Sequence, residues 1–330
     1  MRKMISNIDN IIEFIKGSND FVVTSHISPD GDNIGSTLGI YYSLKKLGKN
    51  VYYVLDDNAP LNLRFLVENV TNMSSEEFKA LNIDNYSLIA LDCGDKYRVC
   101  VSEEIKDKAL KIVCIDHHAS NDAYGDLNYI DTEASSTSEL VYNLLVRLNE
   151  LDNINIIDED IATALYTGLV TDTGNFSYSS THPSSFEMAK ELMILGAKKD
   201  KIIQNVFQSN SYNYYKLLGE ALNTLDIVQE KVACISLTID MLQRNNMSFN
   251  DVDGVTNYTR DIKNIEVGIL LKQKKENEVK VSLRSKNYVN VSKIAQTFNG
   301  GGHVRAAGCT IYDTVENAKI KILQEVLKEI

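Results

Sequence analysis

Four apolar runs within the first 172 residues each stop at an acid or a histidine, and that recurrence constrains the fold more than any other feature. Phe21–Ser25 leads into His26, Asp30 and Asp32, and Leu88–Leu91 into Asp92. Ile112–Ile115 leads into Asp116, His117 and His118, and Ile161–Thr171 into Asp172. Ile112, Val113, Cys114 and Ile115 are small or β-branched, the composition of a strand buried on both faces in a parallel sheet. Val51–Leu55 reads as another such strand. After Asn33, an N-cap candidate, IGSTLGIYYSLKKLGKN carries a helical apolar face, and SELVYNLLVRL follows the third run in the same way. Strands alternating with helices predict an α/β doubly wound parallel sheet. Ligands of such sheets gather beyond the carboxyl ends of the strands, which is where the acids and histidines are expected, with Asp172 in a loop of its own.

From about Asn213 the grammar changes. VACISLTI, IEVGILLKQ and EVKVSLRS are successive strand candidates, followed by the helix VSKIAQTFN, a glycine-rich turn GGGH and a last helix, ENAKIKILQEVLKEI. That pattern predicts a smaller α+β domain with a mixed sheet. The expected organisation is a catalytic domain over 1–185, a helical linker over 186–212 and a second domain over 213–330.

Charge narrows the partners. The formal net charge is −11, which argues against a general basic surface for long duplex nucleic acid. Residues 213–330 carry 16 Lys and Arg against 14 Asp and Glu, a net +2, leaving −13 on the first 212. An acidic first part suits cations, and a mildly basic second part suits phosphate. No apolar run approaches the roughly 20 residues that span a bilayer, so a cytoplasmic protein with no membrane partner is expected. The five cysteines form no CxxC pair and lie mostly in strand-like runs, as buried thiols do.

Taken singly, an Asp after a strand caps a helix and a His is a surface group. Together, His26, Asp30, Asp32, Asp92, Asp116, His117, His118 and Asp172 form a set that caps alone do not explain. Four carboxylates and two neutral imidazoles around two divalent cations balance charge and still admit a phosphate, as in two-metal phosphoryl hydrolases. Elsewhere, Gly300, Gly301 and Gly302 before His303 would let backbone amides approach an anion, with Arg284 just upstream. Arg260 precedes a strand, and Ser135, Ser136 and Thr137 stand where a helix start would face a phosphate.

The segments HISPDGDNIGS, LIALDCGD, IDHHAS and GLVTDTGNFSYSS, in that order, resemble the four motifs of the DHH phosphoesterase family. RSKNYVNVSKIAQTFNGGGHVRAAG resembles its DHHA1 companion domain. The resemblance implies two Mn²⁺ ions, with Mg²⁺ or Co²⁺ as substitutes, one held by His26, Asp30 and Asp92 and the other by Asp32, Asp92, His117 and Asp172. It makes Asp92 the bridge, His118 a contact of the scissile phosphate and Asp116 the group that orients an imidazole. Arg260, Arg284, Gly301, Gly302 and His303 are the implied substrate contacts. The implied activity is hydrolysis of very short RNA and linear dinucleotides, with 3′-phosphatase action on adenosine 3′,5′-bisphosphate. A cyclic dinucleotide phosphodiesterase is the alternative, a catalytically silent nucleotide-binding regulator a more distant one. A homodimer is compatible with the sequence.

Overall fold

The computed structural model describes residues 5–249, 252 and 254–330, apart from the side chain of His303. The chain forms two compact units that meet in sequence between Ser209 and Asn210. Among the described residues no helix is long and apolar enough to cross a membrane.

The first unit is built on strands β1 (Asp20–Thr24), β2 (Asn50–Val54), β3 (Asn72–Met73), β4 (Ser87–Leu91), β5 (Ile112–Asp116) and β6 (Leu127–Ile130). Every pairing is parallel and the spatial order is β3-β2-β1-β4-β5-β6. β4 and β5 are buried along their whole length, which is why they read as unbroken apolar runs. The order reverses direction between β1 and β4, the crevice where a doubly wound sheet opens to a ligand. His26 follows β1 and Asp92 follows β4, so the two residues stand at that switch point.

The helices of eight residues or more are α1 (Ile8–Gly17), α2 (Gly31–Lys46), α3 (Thr137–Asp152), α4 (Glu159–Asp172), α5 (Pro183–Ile194) and α6 (Lys199–Val206), with α7 (Tyr212–Leu222) and α8 (Val315–Val326) in the second unit. Three expectations are corrected in the first unit. The N-cap of α2 is Asp30 rather than Asn33, its side chain accepting from the Asn33 amide at 3.0 Å. Asp172 does not stand in a loop after a strand; it ends α4, whose residues Ile161–Val170 are all buried, so a period could not separate helix from strand. The expected linker is helical, but Met188, Ala189 and Leu192 of α5 and Ile202 of α6 belong to the first core.

α2 and α4 pack unusually close. Gly31, Gly35 and Gly39 recur at helical spacing along one stripe of α2, and a Cβ at Gly35 would overlap the Ala164 carbonyl and lie 2.9 Å from the Gly168 amide.

The second unit is a mixed sheet in the order β11-β12-β10-β9-β8-β7. Its strands are β7 (Asp226–Val228), β8 (Val232–Leu237), β9 (Val267–Lys275), β10 (Glu278–Ser285), β11 (Gly301–His303) and β12 (Ala306–Ile311). Among the described residues of this unit only β8 and β9 pair in parallel. Val279, Val281 and Leu283 alternate inward on β10 and pack with Ala318, Ile322 and Val326 of α8. On the other face, Leu270 packs with Leu217 and Ala221 of α7 and with Val255. The glycine-rich segment is a short strand on the sheet edge, β11, rather than a turn.

Gly35→Ala should cost about 1–3 kcal/mol by overpacking, a melting point lower by about 3–10 °C for a unit of this size. An unchanged melting curve would mean that the two helices do not meet there.

Candidate metal centre

Each side chain is placed by a helix start, a helix end or a strand end. Asp30 caps α2 through Oδ1, which leaves Oδ2 facing His26 Nε2 at 3.7 Å. Asp32, in the first turn of α2 and fully buried, accepts from the amides of Thr137 at 2.6 Å and Ser138 at 2.9 Å, the open donors of the α3 N-terminus. Asp92 leaves β4 in the left-handed conformation, φ 55°, a turn that Asp tolerates better than most residues. Its hydroxyl partner is Thr137, which donates to Oδ1 at 3.0 Å.

The donor atoms converge in three overlapping groups: His26, Asp30 and Asp92; Asp32, His117 and Asp172; and Asp92, His117 and His118, with the atoms of each group within 4.8 Å of one another. Asp92 joins the groups. Its Oδ2 lies 3.5 Å from His26 Nε2 and its Oδ1 lies 3.7 Å from His117 Nε2, so one carboxylate faces two separate sets of ligands. His117 Nε2 is also 3.1 Å from Asp172 Oδ2. His26 Nδ1 bonds the Ile27 carbonyl at 2.7 Å and His117 Nδ1 the Ala134 carbonyl at 3.2 Å. A carbonyl accepts only, so each Nδ1 carries a proton and Nε2 is the nitrogen whose lone pair is freed for a cation once its own proton leaves, the arrangement of metal-ligating imidazoles.

The electrostatics fit cations. Burial, then repulsion from Asp92 and Asp172, pushes the Asp32 carboxyl well above the carboxylate range. Burial lifts Asp172 to about 6, with Asp92 adding to the rise and the His117 contact opposing it. Burial works to lower His26 and His117, yet the acids beside them outweigh it and hold both near 10. Acids that resist ionisation and imidazoles that retain protons both record negative charge in excess. Oxygen and neutral nitrogen donors suit Mn²⁺, Mg²⁺ or Co²⁺ rather than a thiolate-seeking ion. The nearby thiols stay out of the set: burial pushes Cys93 to about 11 and Cys114 to about 12.

His118 is held differently. Its Nδ1 lies 2.7 Å from Oδ1 of the fully buried Asp116, whose Oδ2 takes the Asn121 side-chain amide at 2.5 Å. Asn121, Thr137 and the Ser138 amide thus support the site without appearing in any motif that the sequence reading singles out for ligation. The ASSTSE segment does signal a helix start, but its Thr137 and Ser138 amides hold Asp32 rather than a phosphate. Ser135 and Ser136 are fully buried and spent on the same turn. Ser135 donates to Glu139 through its amide at 2.8 Å, and the Ser136 hydroxyl accepts from the Glu139 amide at 3.1 Å.

In the second unit the expected substrate residues come together by register. Arg284 pairs with Gly268 on one side and Ala306 on the other, and Ala306 pairs with His303, which puts all four in one row across β9, β10, β12 and β11. Arg260 ends the short helix Val255–Arg260 over the same row, since a Cβ at Gly268 would lie 2.7 Å from its amide. Gly302 is glycine for its backbone, φ 140°. At Gly301 a Cβ would meet nothing within 4 Å, so packing does not require glycine there. The His303 side chain lies outside the described residues.

Residues 20–169 match the N-terminal domain of the DHH family, and residues 230–330 match the DHHA1 domain. The chain is 33% identical over 309 residues to the bifunctional oligoribonuclease and PAP phosphatase NrnA of Thermus thermophilus, covering 93% of this chain and 89% of that one. It is 26% identical to the cyclic-di-AMP phosphodiesterase PdeA of Listeria monocytogenes over 95% of this chain but 48% of that protein. Among solved structures, an exopolyphosphatase-related protein from Bacteroides fragilis superposes with a TM-score of 0.87 at 29% identity, covering 97% of this chain and 95% of that one.

Divalent cations are expected to compete with protons here. Since His26 and His117 hold protons up to about 10, binding must expel them, and apparent affinity should rise with pH through neutrality. With one proton lost per imidazole, the rise approaches about tenfold per ion per pH unit. Calorimetric titration with Mn²⁺ at several pH values checks it, and a pH-independent affinity would contradict the assignment.

Proposed function

The chain belongs to the DHH family whose members join a DHH domain to a DHHA1 domain and include the NrnA proteins, and from that membership we propose a metal-dependent phosphoesterase that cleaves very short RNA and linear dinucleotides to mononucleotides. The same site would remove the 3′-phosphate of adenosine 3′,5′-bisphosphate. The observation that carries the reading is Asp92, one carboxylate with an oxygen toward each of two ligand sets.

One ion, proposed as Mn²⁺, falls to His26, Asp30 and Asp92, and a second to Asp32, Asp92, His117 and Asp172. Mg²⁺ or Co²⁺ would substitute. Two such cations supply positive charge to the phosphate and acidity to an attacking water. The remaining work belongs to the chain. The α3 amides and Thr137 hold Asp32 and Asp92 in place. His118, oriented by Asp116, would donate from Nε2 to a phosphate oxygen as charge develops on it. Arg284, Arg260, Gly301, Gly302 and His303 are the proposed contacts of the substrate in the second unit, with phosphate on the arginines and the glycine strand.

The cyclic dinucleotide reading has a full-length match to about half of PdeA in its support, and the linear reading has relatives of the chain's own length. A regulator would not require a complete set of ligands.

Incubation with Mn²⁺ should release mononucleotides from pApA and a five-nucleotide RNA, and inorganic phosphate from adenosine 3′,5′-bisphosphate, with cyclic di-AMP the poorest substrate. Preference for the cyclic compound would overturn the choice. Asp92→Asn keeps the shape and removes the shared charge, so turnover should fall by about a thousandfold or more and neither ion should bind at its former affinity. Undiminished turnover at saturating Mn²⁺ would sink the bridging role.

A further inference from the structure

The loop between β10 and the helix Val291–Gln296 is fixed from both sides of its backbone. Glu266, 2% exposed, accepts on Oε1 from the amides of Asn287 at 3.0 Å, Tyr288 at 2.8 Å and Val289 at 3.0 Å. Its Oε2 takes the Asn287 side-chain amide at 3.0 Å. Three successive amides aimed at one point form an anion nest, here filled by the protein's own carboxylate. The carbonyls are held as well. Arg305 donates from Nη1 to the Val289 carbonyl at 2.9 Å and from Nη2 to that of Asn287, and the Ser285 hydroxyl reaches the Val289 carbonyl at 2.7 Å. Beyond the loop, the Val291 amide bonds the Val304 carbonyl at 3.0 Å and the Ser292 hydroxyl bonds that of Gly302 at 2.7 Å.

So much order in a five-residue connection would ordinarily bury its one aromatic side chain. Tyr288 is instead 56% exposed. The loop leaves β10 one residue after Arg284 and its carbonyls are bonded to Arg305, the neighbour of Ala306, so the Tyr288 backbone stands beside the row proposed to hold the phosphate. A nucleotide offers a phosphate and a flat π face some distance apart, and nothing yet described receives the face. A tyrosine on a fixed backbone has only its own side-chain torsions left to order, which makes it an inexpensive surface to stack on.

Resting on the nucleotide-hydrolase reading above, we propose that Tyr288 is the base-stacking platform of the second unit and that Glu266 and Arg305 are the positioning residues that present it. The base is recognised by its face, so the platform tolerates any nucleobase and favours purines by area.

The test separates base from phosphate. Calorimetric titration of the full-length chain with AMP and with ribose 5-phosphate should show AMP bound about tenfold more tightly. Tyr288→Ala should bring the ratio close to one, Tyr288→Phe should preserve it, and Tyr312→Ala, 77% exposed beyond the other end of the sheet, should leave it unchanged. A ratio unaffected by Tyr288→Ala, or no preference for AMP in the wild type, overturns the proposal. Turnover of pApA in the same preparation reports separately on the hydrolase reading, because a chain that cleaves pApA without any preference for AMP loses the platform alone.

Discussion

The site depends on how near two helix backbones come to each other. Gly35 of α2 lies against Ala164 and Gly168 of α4, and a Cβ at Gly168 would in turn lie 2.6 Å from Asp32 Oδ1 and overlap the Ser138 hydroxyl. Three helices therefore meet where no side chain fits between them. Asp32 comes from the first turn of α2, the amides that hold it from the first turn of α3, and Asp172 from the position one turn beyond Gly168 in α4. Any larger residue at the contact would separate the carboxylates and imidazoles that the helices bring together.

That closeness has an electrostatic cost, which the fold offsets in part. Asp32, Asp92 and Asp172 repel one another in a buried place, and protons on His26 and His117 are the charge available to compensate when no cation is bound. The α3 N-terminus contributes partial positive charge to Asp32, and Thr137 a hydrogen bond to Asp92. Around this sits a core of fully buried strands and helices, β4, β5 and most of α4 among them, that can tolerate a locally unfavourable cluster. The left-handed Asp92 belongs to the same account: the strained turn is what swings one carboxylate between His26 and His117.

How much of this is legible in the sequence differs from residue to residue. Strands buried on both faces announce themselves as unbroken apolar runs, so the parallel sheet and the acids at its carboxyl edge can be read directly. Asp172 is legible as a candidate, but its element is not, because α4 is apolar on every side and a fully buried helix has no amphipathic period. At Ser135 and Ser136 the helix start is visible while its occupant is not. The anion that fills it is Asp32, more than 100 residues upstream, and local pattern carries no information about so distant a partner. The glycine stripe of α2 has meaning only against the backbone of α4. In the second unit, GGGH reads as a turn because glycines usually make turns, whereas here pairing with β12 keeps it extended.

The three histidines show how a small difference in partner assigns role. All three tie Nδ1 to an oxygen: His26 to the carbonyl of Ile27, His117 to that of Ala134, and His118 to the carboxylate of Asp116. A neutral carbonyl fixes the tautomer and lets the ring give up its second proton to a cation. A buried carboxylate does more, stabilising positive charge on the ring, and burial of His118 is outweighed by Asp116 so that its affinity for a proton is raised. Asn121 adds to the effect by holding Asp116 in one orientation. Of two adjacent histidines, then, His117 with a carbonyl behind it fits the proposed metal ligand and His118 with a carboxylate behind it the proposed donor to a phosphate oxygen, while the acids facing His117 Nε2 raise the proton affinity of that ring as well. The division follows from what stands behind each ring.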